Sequence, residues 1–71
     1  MFDRKKFHGR VIAEGYTLTT VAEQLQISPA TLNRKMARGG DFTRSELQKL
    51  RAVLNLTDED MNEIFFAEEL A

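Results

Sequence analysis

The sequence predicts an all-α fold of five short helices, and three observations carry that prediction. One local pattern recurs five times: an apolar residue, then a capping residue, then another apolar residue four positions past the cap. The instances are Phe2-Asp3-Phe7, Tyr16-Thr17-Val21, Ile27-Ser28-Leu32, Phe42-Thr43-Leu47 and Leu56-Thr57-Met61. Each is a hydrophobic staple around an N-cap. The side chain before the cap packs on the first turn, and the Asp, Ser or Thr oxygen meets a backbone N–H that has no helical partner. The second observation is that apolar residues after each cap follow three- and four-residue spacing, the period of one buried helix face. The third is bulk composition. Seventy-one residues, 42% apolar and 30% charged, suit one domain with one small core that buries roughly 60% of the unfolded chain's surface.

Taken in order, the first helix runs from about Arg4 to Glu14, with Phe7, Val11 and Ile12 inward and Gly15 as its stop. Lys5, Lys6 and Arg10 occupy its exposed face. The second spans about Leu18 to Leu25, where Leu18, Val21, Ala22 and Leu25 share one side. A tight turn through Gln26 and Ile27 leads to Ser28 and Pro29, a hydroxyl N-cap followed by proline in the first helical position. The third helix, about Pro29 to Ala37, turns Leu32 and Met36 inward and leaves Thr31, Asn33, Arg34, Lys35 and Arg38 pointing away from the core. Arg38, Gly39 and Gly40 then open a loop to Asp41. The fourth helix starts at a full capping box, Thr43-Arg44-Ser45-Glu46, and buries Leu47, Leu50 and Leu54 with Val53 beside them. The fifth follows Thr57, with Asp58, Glu59 and Asp60 at the positive end of the helix dipole and Met61, Ile64 and Phe65 inward. No repeat, linker or low-complexity run divides residues 1–71, so a single domain is expected.

The stretch from Thr17 to Ala37 resembles the helix-turn-helix of the phage repressor and Cro family, and the whole chain is similar to small phage regulators of that group. Ala22 matches the small residue of the family's first helix, Leu25 and Ile27 the apolar pair flanking the turn, and Leu32 the core residue of the recognition helix. The family usually carries glycine between that apolar pair, where the backbone takes positive φ; this chain has Gln26, at a cost of about 1 kcal/mol. The resemblance implies a lambda-repressor-like DNA-binding domain. It also implies a symmetric dimer on an inverted repeat, working in the cytoplasm of a bacterial host cell.

That resemblance assigns candidate roles. Arg34 and Asn33 suit base reading, because arginine donates two hydrogen bonds to guanine and asparagine pairs similarly with adenine. Ser28, Pro29, Ala30 and Thr31 lie at the amino end of the recognition helix, which approaches base edges most closely, and Pro29 and Ala30 suit a thymine methyl. Thr17, Thr19, Thr20, Lys35 and Arg38 suit phosphates. Lys5, Lys6 and Arg10 extend towards flanking phosphates or form a plain basic stripe. A second candidate surface is Phe65, Phe66 and Leu70, apolar groups that either dock on a partner or fold back to close the core.

Charge is unevenly spread. Residues 1–38 carry seven bases against three acids, and residues 39–71 three bases against eight acids. Such a division suggests one pole for an anionic partner and another that DNA would repel. It also keeps a second reading open, in which the chain is an antirepressor or modulator that binds a cognate phage repressor protein through its acidic carboxyl third.

Several classes lack support. His8 is the sole histidine and there is no cysteine, so neither a metal site nor a disulfide is expected, and no cofactor. Gly39-Gly40 lacks the strand-to-helix setting of a phosphate loop, and no spaced acid–base pair or activated nucleophile points to an enzyme. No apolar run reaches the ~20 residues of a membrane span, and MFDRKKFHGR does not read as a secretory signal.

Overall fold

A computed structural model describes residues 1–66 and shows five helices and, among these residues, no strand: α1 Arg4–Ala13, α2 Leu18–Gln24, α3 Pro29–Ala37, α4 Arg44–Val53 and α5 Asp58–Phe65. Every expected cap forms. The side chains of Asp3, Thr17, Ser28, Thr43 and Thr57 accept the backbone N–H of Lys6, Thr20, Thr31, Glu46 and Asp60 respectively. Three of these starts are reciprocal capping boxes rather than the one expected at Thr43. Thr20 and Asp60 close the other two from the N3 position, where the familiar sequence signature has Glu or Gln. Glu14 and Leu25 prove to be the C-cap residues of α1 and α2, one position past the last helical turn.

The helix ends follow an equally local rule. After α1, α2 and α4 the chain uses one three-residue connection: a left-handed residue, an apolar residue, then the next cap. Gly15, Gln26 and Asn55 hold φ of 82°, 60° and 52°. The apolar residue that follows each returns its N–H to a carbonyl five residues back: Tyr16 to Val11, Ile27 to Ala22 and Leu56 to Arg51, at 2.9, 3.0 and 2.9 Å. This is the Schellman closure of a helix end. Its apolar residue also serves as the staple of the following helix, so one side chain ends one element and aims the next. Gln26 pays no packing role for its strained backbone, since its side chain is exposed. Gln26→Gly is therefore expected to raise stability by about 0.5–1 kcal/mol. Thermal unfolding reads this as a rise of a few degrees; a fall in midpoint would show that the left-handed position is not strained.

The core joins all five helices. Val21, Ala22, Leu25, Leu32, Met36, Leu50 and Leu54 are buried where α2 packs on α3 and α4. Ala22 has no exposed surface, which suits its small side chain under a crossing helix. At the other end, α5 packs on α1 and four phenylalanines meet. Phe2, Phe7, Phe42 and Phe65 contact one another in all six pairings, with ring centroids 5.5–6.2 Å apart. Gly40 permits this cluster: its φ is 79°, and a Cβ there would lie 2.7 Å from Cγ of Phe2. The Asp3 N–H donates to the carbonyl of Ile64 and fixes the amino terminus on α5.

One apolar assignment changes, at Ile12, and one open alternative is decided, at Phe65. Ile12 is 61% exposed, because 100° per residue carries it off the Phe7–Val11 stripe. Phe65 is buried in the ring cluster and so belongs to the core rather than to an outward docking surface. Phe66 remains outside at 53% exposure, and Leu70 lies outside the described residues.

Candidate nucleic-acid interface

The outward face of α3 is built by what lies behind it. Leu32 and Met36 are buried against α2 and the core, each stabilising the helix position by about 1.5–3 kcal/mol. At 100° per residue, Arg34 stands two positions and some 160° from both Leu32 and Met36, on the opposite face, and must then project. Pro29, Ala30, Asn33, Arg34 and Arg38 are exposed. Arg34 and Arg38 make no ion pair or side-chain hydrogen bond with any described residue, so both guanidinium groups keep their full donor sets. Ser28 and Thr31 are partly committed. The Thr31 backbone N–H donates to Ser28 Oγ at 3.1 Å, and the Ser28 hydroxyl donates to Thr31 Oγ1 at 2.9 Å. That bond orders the amino end of the helix and leaves acceptor positions on both oxygens.

At the start of α2, Thr17 and Thr19 are exposed. Thr20 is half-buried and its hydroxyl is occupied twice: it accepts the Thr17 N–H at 2.8 Å and donates to the Thr17 carbonyl at 3.0 Å. Capping accounts for Thr20 in full.

Three bases differ most from expectation. Lys35 does not project freely: its Nζ lies 3.2 Å from Oε1 of Glu46 on α4, with only 20% of the side chain exposed. Burial would push the Glu46 carboxyl up, but the Thr43 backbone N–H, the Lys35 ammonium and the Thr43 hydroxyl outweigh it and hold the group below its usual range. Arg10 turns sideways from α1 to the end of α4. It donates through Nε to the Leu54 carbonyl at 3.1 Å and through Nη2 to the Asn55 carbonyl at 2.8 Å, with Glu14 and Asp60 beside it. Lys6 pairs with Glu63 on α5 at 3.8 Å. Of that stripe, Lys5 is exposed and has no partner among the described residues.

These pairs also fold the two charge halves together. Lys6, Arg10 and Lys35 from the basic half meet Glu63, Asp60 and Glu46 from the acidic half, so the fold pairs off part of the charge division that runs along the chain. The remaining positive charge near α3 is Arg34 and Arg38. Arg44 and Lys49 on α4 are further exposed cations without a partner among the described residues, and no periodic pattern in the sequence marks them.

His8 is exposed, and no group of three or more metal-ligating residues exists among the described residues. No described helix is long and apolar enough to cross a membrane. Comparison of the chain with protein-family models, curated proteins and solved structures finds no match to any of them.

Proposed function

We propose that this protein is a small phage-type transcriptional regulator that binds operator DNA through α2, the Gln26 turn and α3. One observation carries the reading: Arg34, exposed and without a partner among the described residues, stands with Asn33 on a helix backed by buried Leu32 and Met36. Arg34 and Asn33 read base edges, Pro29 and Ala30 make apolar contact, and Ser28 and Thr31 donate or accept at the groove. Thr17, Thr19 and Arg38 hold phosphates. Two copies on an inverted repeat place half-sites roughly 34 Å apart. The protein acts by occupying the operator and excluding polymerase.

The test is fluorescence anisotropy with operator and random duplexes. Arg34→Ala is expected to weaken specific binding by ~1–3 kcal/mol while changing binding to random DNA far less. If the variant binds both duplexes as the unmodified protein does, Arg34 is not the reader.

A second reading is favoured by Phe66, 53% exposed at the end of an α5 that begins with three acids. In it the protein is an antirepressor that docks on a cognate phage repressor. A tight complex with that repressor, together with no DNA shift by this protein alone, would replace the first reading with the second.

A further inference from the structure

Lys35 sits on the flank of α3 shared by Thr31 and Arg38, at the rim of the outward face. Its neighbours Arg34 and Arg38 have no side-chain partner among the described residues, yet Lys35 is held through both its ammonium and its backbone carbonyl. Its ammonium meets Oε1 of Glu46 at 3.2 Å and lies 3.5 Å from the Asp41 carbonyl. Its own carbonyl accepts the N–H groups of Gly40 and Asp41 at 3.0 and 3.1 Å. The same Glu46 oxygen accepts the Thr43 N–H at 2.8 Å, so the carboxylate is anchored by the α4 capping box before it ever meets the lysine. Only 12% of the Glu46 side chain is exposed.

This inference rests on the DNA-binding reading and deepens it. We propose that Glu46 sets the sequence selectivity of the interface by withholding Lys35 from the phosphate backbone. Phosphate contacts add affinity for every sequence alike, whereas base contacts distinguish one from another. Were Lys35 to swing to a phosphate, it would leave a half-buried carboxylate uncompensated at the rim of an anionic ligand. The Glu46 charge thus opposes that contact twice, by attracting the ammonium and by repelling the phosphate. One non-specific contact is subtracted from α3, and a larger share of binding falls to Arg34 and Asn33.

Glu46→Gln isolates the charge, because glutamine also closes a capping box. Binding to a random-sequence 20-base-pair duplex is measured against salt for the unmodified protein, Glu46→Gln and Lys35→Met. The slope of log K against log salt is expected to steepen by about 0.9 in Glu46→Gln, roughly a tenfold gain near 0.1 M salt. Lys35→Met alone is expected to leave the slope as it is. Adding Lys35→Met to Glu46→Gln should abolish the gain. An unchanged slope in Glu46→Gln, or a shallower one in Lys35→Met, overturns the proposal while leaving the DNA-binding reading intact. No binding by any of these proteins overturns both. Should Glu46→Gln fail to fold, by circular dichroism, the slope of Lys35→Met still decides the matter.

Discussion

Phe7→Ala is expected to cost about 3–5 kcal/mol, as truncation of a fully buried aromatic does. Phe7 has no exposed surface and its ring touches those of Phe2, Phe42 and Phe65. Those four rings come from the amino terminus, α1, the α3–α4 connection and α5, so the cavity would open where four segments converge. The segments around it cannot all collapse into it together, and an edge-to-face contact with Phe65 and two tilted ring contacts are lost beyond the area term. A 71-residue domain has about 4–11 kcal/mol in all, at 0.05–0.15 kcal/mol per residue. The variant should therefore be marginal or unfolded at 25 °C. Urea titration followed by circular dichroism measures this, and a loss under ~1.5 kcal/mol would mean that the ring cluster is not the centre of the core.

Arg10→Ala is expected to cost about 2 kcal/mol, the next largest effect. Two charge-assisted bonds to the Leu54 and Asn55 carbonyls would each contribute about 1.5–3 kcal/mol if buried, and partial exposure of the side chain reduces that. The loss is local to the α4–α5 connection, where Asn55 holds a left-handed φ and its side-chain amide donates to Glu14 Oε1 at 2.8 Å. Acid should weaken the same junction. The Asp60 carboxyl is held below its usual range first by the Thr57 backbone N–H, and then by the Thr57 hydroxyl and Arg10, against a smaller effect of burial. A depressed folded-state value means that the folded protein binds fewer protons than the unfolded chain. Its contribution is present above the ordinary carboxylate range and disappears as pH falls through the lowered value. Arg10→Ala should lower the midpoint at neutral pH and narrow its difference from the unmodified protein in acid. The opposite outcome, unchanged stability with a shallower salt dependence of DNA binding, would return Arg10 to the role of a phosphate contact.

Arg10 also shows why part of the candidate site was not legible in the sequence. On its helix it lies among Lys5 and Lys6, and a basic stripe is all that local spacing reveals. The partners that reassign it are 44 and 45 residues away. Lys35 is similar, since Glu46 is marked in the sequence by its capping box and nothing connects it to a lysine on another helix. Asn55 was open to recognition: Leu54-Asn55-Leu56-Thr57 repeats the order of Leu25-Gln26-Ile27-Ser28, an apolar pair around a left-handed residue with a cap behind. Arg34 was legible because its exposure follows from one period once Leu32 and Met36 are inward.

The amino-acid order by itself determined where each helix starts, where it stops to within a residue, and which face turns inward, Ile12 excepted. Those features depend on hydrogen bonds and contacts spanning three to five residues, and the chain carries their chemistry at each boundary. Tertiary structure alone decided which cations remain available to an anionic partner. Lys6, Arg10 and Lys35 are each paired with an acid brought near through the packing of α1 on α5 and of α3 beside α4. Apart from Arg10 with Glu14, four residues apart on α1, these pairs join groups distant in the chain, and no local spacing encodes them.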